Sequence, residues 1–267
     1  MMAAPSDNNS VSGRVAVVTG GGSGIGRATC RALAARGASV VAVDIKSEGV
    51  DQTLELIASD GSGGEHLGMA LDVRSEEDMQ AMADRAVERF GRIDILAACA
   101  GVLHGPDGRL RKLADTTLDE WNRVIDTNLR GMFLCNRAVL GPMLKQRSGD
   151  IVNVSSVSGK AGRAHDAPYC ASKFGVIGMS ESLGEEVRSV GVRVQVVCPD
   201  AVDTPMWEQN GPVPPPEHVL PPERVADLIV YLVEQPADTL LLGPVIAPFK
   251  TRRRRKATPK PSEGATA

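Results

Sequence analysis

The run Val15-Ala16-Val17-Val18-Thr19 passes without a spacer into Gly20-Gly21-Gly22-Ser23-Gly24-Ile25-Gly26. A short β-branched run reads as a buried strand. From Ile25 to Arg36 the composition is helical, with Gly37 placed as a C-cap. Strand, glycine turn and helix in that order restrict the fold severely. Glycines permit a tight turn and a close backbone approach to a bound group, and a helix starting there offers unpaired N–H groups to an anion. The spacing is G-x-x-x-G-x-G rather than G-x-G-x-x-G, but the physics is shared. A bare glycine cluster is usually only a flexible turn. Its strand and helix neighbours make Gly20, Gly22, Ser23, Gly24, Ile25 and Gly26 candidates for cradling a pyrophosphate.

The same alternation continues along the chain. Val40–Asp44, His66–Leu71, Ile93–Ala98, Ile151–Ser155 and Arg193–Val197 read as further strands, and Leu240–Ile246 as a last one. Helices are predicted over about 49–58, from Ser75 to Phe90, from Thr117 toward Gln146 with Pro142 bending its end, from Pro168 onward, and over 222–234. Alternating β and α segments imply an α/β fold: a Rossmann-like, doubly wound parallel sheet of about seven strands with helices on both faces, in a single domain. The predicted organisation is a loose N-terminal arm over 1–12, the domain over 13–250, and a disordered basic tail over 251–267. Residues 201–222, rich in proline, suit a loop or lid over a pocket. In such sheets ligands bind beyond the carboxyl ends of the strands. Gly20, Asp44, Asp72, Gly101, Ser156 and Pro199 each lie at or just past a predicted strand end.

Asp44 ends the second strand, where a carboxylate can accept hydrogen bonds from ribose hydroxyls and repel a 2′-phosphate. No Arg or Lys lies within the glycine turn to neutralise one. NAD(H) is therefore predicted over NADP(H), although a strand-end aspartate can equally be a turn residue. Asp72, followed by Val73, is placed either to meet an adenine edge or to lead the next helix. Tyr169 and Lys173 are four residues apart, so a helix stacks them on one face. An ammonium beside a phenol favours the phenolate, and a phenol so tuned exchanges protons near neutral pH. Alone, such a pair is usually surface.

Aromatic residues make up 3% of the 267 residues and the formal net charge is −3, which argues against a base-stacking or electrostatically held nucleic-acid partner. No apolar run is long enough for a membrane span, and the start of the chain lacks a signal-peptide pattern. The five scattered cysteines, Cys30, Cys99, Cys135, Cys170 and Cys198, read as reduced core thiols of a cytoplasmic protein. None is spaced with histidine for zinc.

Taken together, Thr19–Gly26, Leu71-Asp72-Val73, Ala100-Gly101, Thr127-Asn128-Leu129, Ile151–Ser156, Tyr169–Lys173, and Pro199 with Thr204 resemble the short-chain dehydrogenases/reductases, over roughly residues 11–204. The resemblance implies a catalytic set of Asn128, Ser156, Tyr169 and Lys173. Tyr169 would be general acid/base, Lys173 would lower its pKa and bond the nicotinamide ribose, Ser156 would hold the substrate oxygen, and Asn128 would hold a water near the lysine. It also implies NAD contacts from Asp72, Val73, Ala100, Gly101, Pro199, Val202 and Thr204. The expected reaction interconverts a secondary alcohol and a ketone. A 3-oxoacyl thioester on a carrier protein or coenzyme A is the alternative substrate, and a homo-oligomer, tetramer or dimer, is the expected assembly.

His104, Ser158 and His165 are candidates for the substrate mouth, and Met206 and Trp207 for lid contacts. For the histidines, exposed loop positions are the plainer alternative. Three departures stand out, one being Pro244, Pro248 and a basic tail where the family has a glycine-rich ending that often forms subunit contacts. Cys99 occupies a place where the family has an amide, and Asp200 one where it has glycine. Asp200 either lies near the nicotinamide, favouring its cationic form, or points to solvent. Two other functional classes stay open: a nucleotide-sensing protein without turnover, and a binding module acting through Arg252–Lys256.

Overall fold

The computed structural model describes residues 10–105, 109–211 and 213–250. Seven strands form one parallel sheet in the order β3-β2-β1-β4-β5-β6-β7. They are β1 (Val15–Thr19), β2 (Ser39–Asp44), β3 (Leu67–Ala70), β4 (Ile95–Ala98), β5 (Gly149–Val154), β6 (Val192–Pro199) and β7 (Val245–Ile246). The helices are α1 (Gly24–Ala34), α2 (Ser47–Ser59), α3 (Glu76–Phe90), α4 (Leu118–Ile125), α5 (Gly131–Gln146), α6 (Ala167–Val187) and α7 (Pro222–Val233).

Because strand side chains alternate, each central strand feeds two cores. Val15, Val17, Leu96 and Ile151 face one side with α3, α5 and α6. Ala16, Val18, Ile95 and Val152 face the other with α1, α2 and α7. Burial on both faces explains why the central strands read as unbroken apolar runs. The strand order reverses between β1 and β4, which opens a crevice at their carboxyl ends.

Several local expectations are refined. Gly37 does end α1: it adopts φ +85°, its N–H bonds Ala34 O, and Ala38 N–H bonds Leu33 O, the paired bonds of a left-handed cap. Pro142 does not break its helix. α5 runs through it to Gln146, and Arg147 closes the end with φ 54°. The interruption falls earlier, at a π turn over Asp126–Arg130 between α4 and α5. Ser75 caps α3 by accepting from Asp78 N–H, but the Asp78 carboxylate takes the Asp72 N–H instead of returning to Ser75. Val11, assigned to the loose arm, is fully buried in the core because its apolar side chain fits beside α1. Residues 1–9 and the basic tail from 251 lie outside the described residues. Among the described residues no helix is long and apolar enough to cross a membrane.

Candidate active site

A cleft of about 1160 Å³ runs along the carboxyl ends of the strands. Every residue singled out above as catalytic, cofactor-binding or substrate-binding lines it except Asn128, His104 and His165.

At one end is the glycine turn. Gly20 has φ +68°, and a Cβ there would stand 2.8 Å from Ala100 N. A Cβ on Gly26 would lie 2.0 Å from Gly20 O, so α1 packs directly on the turn that precedes it. Gly26→Ala is expected to destabilise the fold by about 3 kcal/mol or more, the upper range for forced overpacking. A urea midpoint unchanged from wild type would contradict that. Ser23 is the extended N-cap of α1, and its side chain makes no capping bond. The first-turn N–H groups are thus left for another acceptor.

Asp44 reaches back to this turn. Its Oδ2 accepts Gly22 N–H at 3.1 Å and its Oδ1 accepts Lys46 N–H at 3.1 Å. A cation that the sequence reading passed over lies beneath: Arg27, immediately after the glycine turn, donates to Gly22 O, Gln52 Oε1 and Thr53 Oγ1. These bonds, from its Nε and Nη2, hold the turn against α2, and Arg27 also lines the cleft. Asp72 pairs with Arg74, whose Nη2 lies 2.6 Å from Asp72 Oδ2, and this hydrogen bond holds the Asp72 carboxyl below the usual carboxylate range. These are the contacts of a residue leading α3. Burial pushes the Cys99 thiol up to about 12, with Thr29 and Lys173 drawing it back.

At the other end, Pro168 starts α6 and sets Tyr169 and Lys173 on its inward face, 8% and 3% exposed. Ser156, two residues past the end of β5, accepts Ser158 N–H at 3.1 Å and lines the cleft together with Tyr169. Lys173 Nζ donates to Val154 O at 2.9 Å and sits 5.7 Å from the Tyr169 ring centroid. The expectation that Lys173 lowers the phenol needs correcting in this cleft. Burial dominates, pushing Tyr169 up to about 12 with only partial relief from the nearby Ser156 hydroxyl. Lys173 itself is pulled down to about 8 by the same desolvation.

The π turn carries Asn128 inward, fully buried. Its Oδ1 accepts Val102 N–H at 2.8 Å, and its Nδ2 donates to Val102 O and Ser172 Oγ. Its amide therefore ties the segment after β4 to α6 rather than facing the cleft. Three further residues escaped sequence reasoning. Arg163 pairs with Asp200 at 2.8 Å across the cleft mouth, so the Asp200 carboxylate is neither turned to solvent nor unpaired beside a cofactor. Asp166 lines the wall; its place three residues before Tyr169 was the only signal for it. Gln209 Oε1 accepts Leu103 N–H at 2.8 Å, and Trp207 Nε1 donates to Val202 O at 2.7 Å. These bonds anchor the 3-10 turn Pro205–Asn210 over the site. Met206 packs there with Leu103 and Tyr169. His104 is buried behind the wall, and His165 is exposed with φ 71°.

The sequence profile of the family described as short chain dehydrogenase matches residues 14–213. The chain is 44% identical over 198 residues, covering 73% of each chain, to a protein of Streptomyces virginiae named monensin polyketide synthase putative ketoacyl reductase. Its structure is similar to that of levodione reductase, with TM-score 0.80, 31% identity, and 88% and 96% of the two chains covered. It is also similar to a single-residue variant of actinorhodin polyketide ketoreductase with NADPH, with TM-score 0.78, 33% identity, and 88% and 95% covered.

Proposed function

This chain belongs to the short chain dehydrogenase family, and from that membership we propose that it interconverts a secondary alcohol and a ketone using NAD(H), with Tyr169 as general acid/base. The observation that carries the reading is Lys173 Nζ 5.7 Å from the Tyr169 ring centroid with Ser156 lining the same cleft, which also holds an uncapped helix N-terminus and Asp44.

The residues present fit a nicotinamide dinucleotide. The glycine turn leaves no space for a Cβ and presents the start of α1, and the carboxylate of Asp44 stands at the end of β2. When bound, such a cofactor supplies hydride to a carbonyl carbon or removes it from a carbinol. The protein's own part is proton handling and positioning. Ser156 and Tyr169 offer two hydroxyls to one substrate oxygen. As negative charge grows on that oxygen, the Tyr169 O–H bond breaks and its proton passes to the oxygen. Lys173, charged below pH ~8, then stabilises the phenolate left behind. Val102, Leu103, Met206 and Trp207 supply an apolar wall beneath the anchored 3-10 turn, which keeps water from the reacting centre.

Asp44 supports NAD(H). Since its carboxylate would face a 2′-phosphate, the double change Asp44→Ala with Ile45→Arg is expected to move the NADP(H)-to-NAD(H) ratio of kcat/KM by about 100-fold, the scale of a removed like-charge contact. An unmoved ratio would refute the role of Asp44. A second reading has specific support: the similarity to ketoacyl reductases favours a 3-oxoacyl thioester substrate. The deciding experiment follows NAD(P)H fluorescence with free ketones, secondary alcohols and acetoacetyl thioesters. Turnover of thioesters alone would replace the first substrate class with the second. No turnover of any of them, with cofactor bound, would favour a nucleotide-sensing protein.

A further inference from the structure

His104, six residues beyond the end of β4, is 3% exposed. Its Nε2 has no hydrogen-bond partner among the described residues and lies 3.6 Å from Asp166 Oδ1. A buried polar atom left unpaired costs about 1–3 kcal/mol, and this carboxylate is the acceptor within reach. Asp166 is the N-cap residue of α6, yet its side chain makes no capping bond. It stands three residues before Tyr169, so the first helical turn brings the two side chains to the same side, and both line the cleft.

Other charged or titratable groups facing Tyr169 are Arg163 from the preceding loop, already paired with Asp200, and Cys170 and Lys173 from α6 itself. Asp166 adds to the rise in the phenol's pKa, and Arg163 opposes it. Burial raises Asp166 above the usual carboxylate range, while His104, Arg163 and His165 draw it back.

We propose that His104 and Asp166 form a positioning pair for Tyr169: His104 Nε2–H donates to Asp166 Oδ1, and the carboxylate held there disfavours the phenolate, setting how readily Tyr169 gives up its proton. Negative charge beside a phenol disfavours the phenolate, and a donor fixing that carboxylate both orients it and partly neutralises it. The inference rests on the acid/base role proposed for Tyr169.

The chain has two tyrosines, and Tyr231 is exposed on α7. Tyr231→Phe therefore leaves one phenol, whose ionisation can be read by ultraviolet absorbance without substrate. In that background, at a fixed alkaline pH, Asp166→Asn is expected to raise the tyrosinate-to-tyrosine ratio about tenfold, or roughly one pH unit, the lower end of what a nearby charge imposes. His104→Gln should lower the ratio, and the double variant should match Asp166→Asn alone. An unchanged ratio in Asp166→Asn overturns the proposal. So does a His104→Gln effect that persists without the carboxylate. If circular dichroism shows Asp166→Asn to be unfolded, the ring carbon signals of labelled Tyr169 in the Tyr231→Phe protein are followed through the acidic range. A shift with a midpoint above the usual carboxylate range supports the pair, and no shift sinks it. Neither readout needs turnover, so failure here is distinct from failure of the oxidoreductase reading, which falls only if turnover survives Tyr169→Phe or is never found.

Discussion

Tyr169→Phe is expected to lower kcat by about 10³-fold or more while cofactor affinity stays within about twofold of wild type. Positioned general acids contribute typically 10²–10⁴-fold, and here the substitution removes the group proposed to pass its proton to the substrate oxygen, along with one of the two hydroxyls offered to it. The ring itself is retained, so its packing against Leu103 and Val124 is kept. Ser156 still offers its hydroxyl, and for that reason the residual rate should exceed that of a Ser156→Ala, Tyr169→Phe double variant. Steady-state kinetics on the best ketone from the substrate screen, together with a fluorescence titration of NADH, measures both quantities. Wild-type turnover in the phenylalanine variant would remove the chemical basis of the proposed function.

Lys173→Met should give the second large effect, with opposite signs for activity and stability. Lys173 is 3% exposed, and burial brings it from 10.5 to about 8. Each pK unit corresponds to about 1.4 kcal/mol, so at neutral pH the buried ammonium costs the fold roughly 3 kcal/mol. Methionine keeps most of the aliphatic volume and removes that charge. It also leaves Val154 O without its 2.9 Å donor, which costs about 1–2 kcal/mol. The variant should therefore be about 1–2 kcal/mol more stable than wild type at pH 7, yet nearly inactive. The sign with pH follows from proton counting. Between pH ~8 and ~10.5 the unfolded lysine binds more protons than the folded one, so wild-type stability from this group rises with pH. The advantage of Lys173→Met should shrink across that window and vanish by pH ~10. Thermal melts at pH 7 and pH 10 decide the matter; a variant equally destabilised at both would show that the ammonium is not strained by burial. A site that gives up stability to hold a charge is the expected pattern for functional residues.

The parts of the fold legible in the sequence are those set by short-range rules. Val15–Thr19 and Val40–Asp44 were readable as strands because both faces of each are buried, leaving no polar alternation to obscure them. Thr19–Gly26 was readable as a tight strand-to-helix turn because only glycine fits where backbone meets backbone, as at Gly26 against Gly20 O. Tyr169 and Lys173 were legible through helical spacing. The π turn at Asp126–Arg130 was not. Its sequence is ordinary helix, and the extra residue per turn is absorbed where Asn128 reaches Val102 and Ser172, contacts 26 and 44 residues away along the chain. The short β7 was overestimated because Leu240–Leu242 have strand-like composition but do not pair within the sheet.

The site divides in the same way. Local pattern singled out Tyr169, Lys173, Asp44 and the glycines, and the family resemblance Ser156; all of them line one cleft. It could not identify partners brought in from elsewhere. Asp200 looked like a replaced glycine until Arg163, 37 residues earlier, was seen to hold its carboxylate. His104 looked like a loop histidine until the fold buried it against Asp166.

The amino-acid order alone thus determined the layer architecture, the strand–glycine–helix turn at Thr19–Gly26 and the shared helix face of Tyr169 and Lys173, because periodicity, glycine sterics and i, i+4 geometry act within a few residues. The protonation behaviour of that pair was decided only by tertiary structure. Desolvation by surrounding segments outweighs the attraction between two neighbours on one helix, and no local pattern reports how much water a distant loop excludes.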